Sequence, residues 1–346
     1  MLTETPQLAP DGHPFRLVTL RNSAGMLVTL MDWGATLLSC RVPLKDGSVR
    51  ETLLGCATVE DYLRQSAYLG ASVGRYANRI AGARYRWQGE EVELMANQGK
   101  HQLHGGPEGF DKRRWMVANH NESEVTFTLT SPDGDQGFPG NAWVQAHYQL
   151  DADNSLSVSY RVEVDKPCPV NLTNHAYFNL EHDRWDARDH ILQIHASHYL
   201  PVDAEGIPCR ELTPVAGTSF DFQRPKAIRR DFLNETDQRL VNGYDHAFLL
   251  AHGGDIQQPA AELWSADKHL QMTLYTSAPA LHFYSGNFLA GTPARENGEY
   301  DNWQGIALES ELLPDSPNHP EWPQPAAVIN PGEEYLSVIR WHFIAH

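Results

Sequence analysis

The chain has 346 residues, with 27 lysines and arginines against 44 aspartates and glutamates, and a formal net charge of −17 at pH 7. This acidic balance argues against a nucleic-acid or anionic-membrane partner. Hydrophobic residues make up 41% of the chain and charged residues 21%, a usage typical of globular proteins. No stretch reaches the roughly 18 uninterrupted apolar residues of a membrane span, and the start lacks a secretion-signal pattern. We therefore expect a soluble protein.

Four cysteines lie far apart in the chain and form no CxxC pair: Cys40, Cys56, Cys168 and Cys209. This spacing suggests neither a zinc knuckle nor a dense disulfide framework. We expect four free thiols and a cytoplasmic location.

The predicted elements follow a period of two. In chain order, turn-like segments at 22–25, 45–48 and 88–90 each indicate a hairpin. The strictest alternation runs over 144–150 and resumes over 156–164, which predicts an antiparallel hairpin with one buried face.

Helical segments are few, with 59–65 and 231–240 the best candidates. Glycines and prolines are spread along the chain, and no shift of composition marks a boundary. Many short strands joined by turns leave a sandwich or a barrel. We predict an all-β fold, a large antiparallel β-sandwich, with one domain over 1–346.

The most informative segment is 169–180, PVNLTNHAYFNL. As a strand it would have one mostly apolar face and one polar face, the latter formed by Asn171, Thr173, His175, Tyr177 and Asn179. Exposed faces usually carry Lys, Glu and Arg, so these uncharged polar groups favour a cleft. A polar face in open water remains the alternative.

Other candidate residues are weaker when taken singly. His104 precedes two glycines, where backbone could approach a ligand closely, and Asn78 with Arg79 could donate to hydroxyls or carboxylates. Glu309 enters an otherwise apolar strand, so it must be exposed, paired or altered in pKa, and the last makes a general base. Asp245 and the following histidine fit a turn at a strand start equally well.

Two segments match the letters of known motifs, but neither indicates a specific reaction. Residues 70–74 match GxSxG, but the period-two pattern around them does not provide the strand and helix of a nucleophile elbow. The basic run Lys112–Arg114 could hold a phosphate, although such runs are more often a solvated face.

Six segments occur together and in order: Asn78–Arg79, Leu103–Gly106, Asn174–Leu180, Gly243–His246, Tyr284–Phe288 and Ala307–Glu309. As a set they resemble the galactose mutarotase, or aldose 1-epimerase, family, with the greatest likeness to its enterobacterial form. The resemblance implies a single-domain antiparallel sandwich with an open sugar cleft, no metal and no organic cofactor. It also implies a small aldohexose substrate, and we expect a monomer or homodimer.

The same resemblance implies roles. Glu309 matches the general base, His175 the general acid, and His104 a second histidine near the ring oxygen. The implied substrate-binding set is Asn78, Arg79, His104, His175, Tyr177, Asp245, His282 and Glu309. His282 departs from the family, because a glutamine is expected there, and an imidazole cannot copy the placement of an amide's groups.

The implied reaction interconverts the α and β anomers of D-galactose, D-glucose and related aldoses by acid-base catalysed ring opening and closure. One base takes a proton from the C1 hydroxyl while one acid protonates the ring oxygen. Three other interpretations stay open. They are a hexose 6-phosphate epimerase using Arg79 and Lys112–Arg114, a metal site of His104, His175 and Glu309, and a non-catalytic carbohydrate-binding module.

Overall fold

The alternating sequence pattern forms antiparallel sheets in the computed structural model, which describes residues 1–181 and 186–346. The strands are β1 (Leu2–Leu8), β2 (Pro14–Arg21), β3 (Leu27–Met31), β4 (Thr36–Pro43), β5 (Val49–Glu51), β6 (Ser72–Val73), β7 (Arg79–Ile80), β8 (Arg84–Trp87), β9 (Glu90–Glu93), β10 (Gln102–Leu103), β11 (Met116–His120), β12 (Glu124–Ser131), β13 (Ala142–Leu150), β14 (Ser155–Val164), β15 (Cys168–Pro169), β16 (Thr173–Asn174), β17 (Tyr177–Phe178), β18 (Ile191–Ile194), β19 (Ala196–Tyr199), β20 (Thr213–Pro214), β21 (Lys226–Ala227), β22 (Asp245–Leu250), β23 (Pro259–Trp264), β24 (Leu270–Thr276), β25 (Ala280–Tyr284), β26 (Ile306–Glu311), β27 (Val328–Ile329) and β28 (Tyr335–Ala345). The α-helices of the described residues are α1 (Val59–Arg64) and α2 (Thr236–Leu240). Short 3-10 helices lie at Ala81–Ala83, Phe110–Lys112, Asp135–Gly137, Ala187–Asp189, Ile228–Asp231 and Ser316–Asn318.

Two large sheets organise the described part of the chain. One has the strand order β11-β12-β13-β14-β28-β24-β23-β18-β21, and the other has the order β17-β26-β25-β22-β19-β20. A further sheet, β1 to β5 in sequence order, comes from the N-terminal hairpins. One apolar cluster extends from Val18 to Phe343 and includes side chains from all three sheets. The predicted all-β antiparallel class is confirmed.

The predicted hairpin of the larger sheet is also confirmed. β13 and β14 pair in unbroken register, with Val144 opposite Val162 and Ala146 opposite Tyr160. These side chains are buried, whereas their neighbours Gln145 and Arg161 are not. The alternation in sequence therefore becomes one core face and one outer face.

The smaller sheet positions polar groups because both of its faces are buried. On one face, Phe283 and Leu308 belong to the main apolar cluster. The intervening positions on the opposite face include Asp245, His282 and Glu309, each less than a tenth exposed. Because successive side chains of a strand point to opposite faces, the ionisable groups lie on one face of this sheet and the core side chains lie on the other.

Two local predictions are wrong in part. Residues 169–180 do not form one strand, because β15, β16 and β17 pair with β27, β6 and β26 respectively. Every residue from 168 to 180 is buried, so the polar face is not in open water. The predicted helix over 231–240 begins only at Thr236, since Leu233 has a positive φ of 59° that interrupts it.

Among residues 1–181 and 186–346, no helix is long and apolar enough to cross a membrane. The serine of the GxSxG match, Ser72, lies in the two-residue β6 and is buried. Its hydroxyl is 2.8 Å from the Tyr160 hydroxyl. It is a core hydrogen-bonding group and not a nucleophile on an elbow.

Candidate active site

A cleft of about 470 Å³ opens over the polar face of the smaller sheet. Its wall contains the eight residues of the implied substrate-binding set: Asn78, Arg79, His104, His175, Tyr177, Asp245, His282 and Glu309. These residues come from six separate segments of the chain. Their convergence is a property of the tertiary fold.

Strand register explains three of the positions. β22, β25 and β26 are consecutive neighbours in the sheet, and His282 lies directly opposite Glu309. Asp245 lies opposite Tyr284, two residues along β25 from His282. Residues i and i+2 of a strand share a face. The side chains of Asp245, His282 and Glu309 therefore point into the cleft, together with that of Tyr284.

His175 reaches the same place from the turn between β16 and β17. Its Nε2 lies 3.5 Å from Oε1 of Glu309, and the two residues are 4% and 2% exposed. The imidazole stacks on the Tyr177 ring, with centroids 4.9 Å apart, which fixes its orientation. An acid-base pair thus lies at the buried wall of the cleft.

His104 approaches from the other side. Its Nδ1 accepts a hydrogen bond of 3.0 Å from the backbone N–H of Asn78, so the neutral ring carries its hydrogen on Nε2. The centroids of the His104 and His175 rings are 5.2 Å apart. Gly105, with φ of 88°, allows this loop to pack on Gly74, whose carbonyl oxygen would lie 1.9 Å from an added Cβ. The glycine therefore permits close packing of two backbone segments beside His104.

Arg79 lies close to the carboxylate of Asp245. Its Nη2 is 3.5 Å from Oδ2 of Asp245, and its Nε donates to Gln98 at 2.7 Å. Burial opposes ionisation of Asp245, but Arg79 and the hydrogen bond from His282 outweigh it and hold the pKa of Asp245 below its usual range. Asp245 is therefore an ionised acceptor at neutral pH.

For Glu309 and His175, in contrast to Asp245, burial shifts the pKa toward the uncharged form. Burial, with the nearby carboxyls of Glu311 and Asp245, raises the pKa of Glu309 well above its usual range, against the effect of Arg79. Burial lowers the pKa of His175 to about 3. Burial and the adjacent His175 also lower the pKa of His104 well below its usual range. Burial therefore favours the uncharged form of Glu309 and of both histidines.

Comparison with known proteins identifies the family. A sequence profile described as "Aldose 1-epimerase" matches residues 16–342. The chain belongs to the aldose 1-epimerase family. It is 64% identical over 345 residues to the aldose 1-epimerase of Escherichia coli (strain K12), with all of both chains covered. It is 39% identical over 310 residues to the galactose mutarotase of Homo sapiens, covering 89% of this chain and 88% of the relative.

A solved structure agrees with the sequence relatives. The galactose 1-epimerase from Lactobacillus acidophilus superposes with a TM-score of 0.86 at 32% identity, covering 100% of this chain and 98% of that one. The family predicted from six short motifs is confirmed, as are the sandwich fold and the isomerase class.

Within this aldose 1-epimerase fold, some site residues were missed by sequence reasoning. Glu311 follows Glu309 by two residues, so it lies on the same face of β26, and its Oε1 accepts a 2.7 Å hydrogen bond from the Asn78 amide. Tyr284 and Tyr68 also line the cleft. The two-residue spacing of Glu309 and Glu311 could have indicated that Glu311 shares the face of the base. No local sequence pattern marks Tyr68 as a residue of the cleft.

Other candidates lie elsewhere. His246 is on the opposite face of β22, where its ring contacts Phe220 at a centroid distance of 4.7 Å. Arg113 forms an ion pair with Asp135, and Arg114 binds the carboxylate of Asp32. The basic run is therefore engaged outside the cleft.

The site could also hold a metal ion. One ligand atom from each of His104, His175 and Glu309 lies within 4.8 Å of the others. Two imidazoles and one carboxylate are a donor set that divalent transition metals accept. The metal-site alternative thus has a geometric basis in the same three residues that the acid-base interpretation uses.

Proposed function

We propose that the cleft binds an aldohexose and interconverts its α and β anomers, with Glu309 as general base and His175 as general acid. The observation that carries this proposal is the 3.5 Å separation of His175 Nε2 and Glu309 Oε1 at the buried wall of the cleft. One group that takes a proton and one that gives a proton are what ring opening requires.

Ring opening begins at the C1 hydroxyl. Glu309 removes its proton as the bond between C1 and the ring oxygen breaks, and His175 delivers a proton to that oxygen. Rotation about C1–C2 then presents the other face of the aldehyde, and closure returns both protons. Each positioned group contributes about 10²–10⁴-fold, which suffices for a reaction that already proceeds in water.

The pair of Glu309 and His175 carries one proton throughout the reaction. After ring opening, Glu309 carries the proton and His175 is neutral, which is the distribution that burial favours. On closure Glu309 returns its proton to the oxygen on C1 and His175 takes one back from the hydroxyl that closes the ring, so the pair ends the cycle as it began. The pair therefore needs one proton in total. With this proton on His175 the pair opens the ring, and with it on Glu309 the pair closes the ring.

The remaining polar groups hold the sugar. Ionised Asp245 accepts from a hydroxyl, and Arg79 and Asn78 donate to hydroxyl oxygens. Tyr177 orients His175 by stacking and closes one side of the cleft. His104 donates from Nε2 near the ring oxygen. D-galactose and D-glucose are the proposed substrates, with related aldoses.

The aldohexose-phosphate alternative is less well supported. It requires a basic cluster at one end of the cleft, but Arg113 and Arg114 are paired with carboxylates elsewhere. Arg79 lines the cleft and lies beside Asp245, which partly neutralises it. A phosphate would therefore have to compete with an existing carboxylate partner.

We also propose one domain over 1–346, acting in the cytoplasm as a monomer or homodimer. The continuous apolar cluster from Val18 to Phe343 supports a single domain. Free thiols at Cys40, Cys56, Cys168 and Cys209 support a reducing compartment. Size-exclusion chromatography with light scattering tests the oligomeric state.

Polarimetry of freshly dissolved α-D-galactose tests the reaction, with and without protein and with and without a metal chelator. Acceleration that survives the chelator supports the acid-base mechanism. Acceleration abolished by the chelator and restored by one metal supports a metal centre of His104, His175 and Glu309. Sugar binding without any acceleration supports a carbohydrate-binding module. Without either, α-D-glucose 6-phosphate is the next substrate to test.

A further inference from the structure

The imidazole of His175 lacks the hydrogen bond that usually orients a functional histidine. Its Nδ1 is buried and has no hydrogen-bond partner among residues 1–181 and 186–346. The Nδ1 of His104, by contrast, accepts from the backbone N–H of Asn78. A partner at the second ring nitrogen ordinarily fixes the orientation of a catalytic imidazole. The orientation of His175 must therefore come from the groups that pack against its ring.

Two tyrosine rings stack against this imidazole. The centroid of the Tyr177 ring lies 4.9 Å from that of His175 at an interplanar angle of 25°, and the Tyr68 centroid lies 5.9 Å away at 16°. The three ring planes are thus nearly parallel, so contact with two flat rings opposes rotation of the imidazole about its Cβ–Cγ bond. Tyr68 also meets the His104 ring edge-on, with centroids 4.7 Å apart.

The backbone holds Tyr68 in this place at a conformational cost. Its φ is 58°, a left-handed value that is rare and strained for a bulky side chain. The Tyr68 carbonyl oxygen accepts from the backbone N–H of Ala71 at 3.0 Å, which closes a turn. Within this turn, the Gly70 N–H donates to the His175 carbonyl oxygen at 2.9 Å, and the His175 N–H donates to that of Ala71 at 2.8 Å. Backbone hydrogen bonds therefore fix the turn of Tyr68 relative to His175.

We propose that Tyr68 is a positioning residue for the reaction: its ring holds the imidazole of His175 in the orientation from which Nε2 reaches the ring oxygen of the sugar. This inference rests on the proposed function of the cleft, in which His175 is the general acid. Rotation of the imidazole would carry Nε2 away from Glu309, whose Oε1 is 3.5 Å distant. Because proton transfer requires hydrogen-bonding distance, loss of the Tyr68 ring lowers kcat more than it raises KM.

Substitutions of Tyr68 separate the effect of its ring from that of its hydroxyl. Tyr68→Phe keeps the flat ring, and we expect kcat to stay within about twofold of the wild type. Tyr68→Leu removes the ring and stays apolar, and we expect kcat to fall about 10–100-fold with KM changed less than about threefold. If Tyr68→Phe loses as much kcat as Tyr68→Leu, the hydroxyl is the group required and the proposal is wrong. A loss confined to KM also contradicts it.

Double variants show which histidine Tyr68 acts through. In a His175→Asn background, Tyr68→Leu should cause little further loss of kcat, because no imidazole is left to orient. In a His104→Gln background, the loss caused by Tyr68→Leu should persist. If the losses from Tyr68→Leu and His175→Asn simply multiply, Tyr68 does not act through His175 and the proposal is overturned.

Tyr275→Leu is the matched control for removal of a tyrosine ring. Tyr275 is a partly buried residue of β24 in the larger sheet, and its ring centroid lies 4.2 Å from the guanidinium carbon of Arg340. We expect kcat and KM to be unchanged in this variant. Should Tyr68→Leu not fold, Tyr68→Gly removes the ring and suits the positive φ, so it should show the same loss of kcat.

The variants of the acid-base pair distinguish the two possible failures. If Glu309→Gln and His175→Asn retain full activity, the proposed function of the cleft fails. If both are inactive while folded Tyr68→Leu or Tyr68→Gly keeps the wild-type kcat, only the role of Tyr68 fails. Circular dichroism and a thermal melt establish that each variant is folded.

Discussion

His282 and Glu309 are direct partners in the antiparallel register of β25 and β26, and both side chains face the cleft. This pairing places an imidazole beside the carboxyl that we propose as the general base.

Glu309→Gln should lower kcat by about 10²–10⁴-fold with little change in melting temperature, because the amide has the same shape but cannot accept the C1 hydroxyl proton. Polarimetry and a thermal melt measure the two quantities. Glu163→Gln, an exposed position on β14, is the matched control and should be unaffected. Near-normal turnover of Glu309→Gln would reject the assigned base.

His175→Asn should cause a similar loss of kcat, since asparagine cannot protonate the ring oxygen. The same assay on His104→Gln shows which of the two histidines protonates the ring oxygen. If His175→Asn keeps the wild-type rate and His104→Gln does not, His104 is the acid.

The pH profile of kcat/KM should be broad on the acid side. Activity requires one proton shared by Glu309 and His175, and it is lost on acidification only when both groups are protonated. Because burial lowers the pKa of His175 to about 3, this loss falls well below the usual histidine pKa of about 6.5. Initial rates measured from pH 4 to pH 9 test this. An acid limb centred near pH 6.5 would contradict the assignment.

Asp245→Asn should raise KM about 10–100-fold, because it replaces an ionised acceptor for a sugar hydroxyl with a neutral amide. Arg79 then also lacks its charged neighbour in the cleft. Initial rates over a range of galactose concentrations separate KM from kcat. The exposed Asp301→Asn is the control, and an unchanged KM for Asp245→Asn would remove Asp245 from the binding set.

His190 should make the free energy of unfolding depend on pH. It is fully buried, accepts a 2.8 Å hydrogen bond from the backbone N–H of Leu180 at Nε2, and has its Nδ1 2.9 Å from the carbonyl oxygen of Ala187. Burial lowers its pKa from 6.5 to about 4. The unfolded chain therefore binds one more proton than the folded protein between these pH values, and stability falls as pH drops through that window.

Urea denaturation at pH 7 and pH 5 measures this effect. Between the two pH values the wild type should lose about 2 kcal/mol more than His190→Gln, which has no imidazole to protonate in the unfolded state. His13→Gln, at an exposed position, should behave as the wild type. Equal pH dependence in all three proteins would show that His190 takes up its proton without unfolding.

Local patterns predicted much of this fold. The hairpin of β13 and β14 followed from strict alternation, because residues two apart share a face and one face must be buried. Helix α1 was also predicted, and its N-cap Thr58 accepts a hydrogen bond from the Asp61 backbone N–H. Residues 169–180 were predicted less well, because three different partner strands divide the segment and no local pattern records which strands those are.

Strand alternation and six ordered motifs are properties of the chain, so the all-β class, the family and the residue types of the site could be predicted from them. Which groups meet depends on the tertiary fold. The approach of His175 to Glu309 depends on sheet order and strand register, and so does the placement of His282 between Asp245 and Glu311. Burial then shifts the pKa values of His175 and Glu309, because the free-energy cost of a charge depends on the solvent and partners around it.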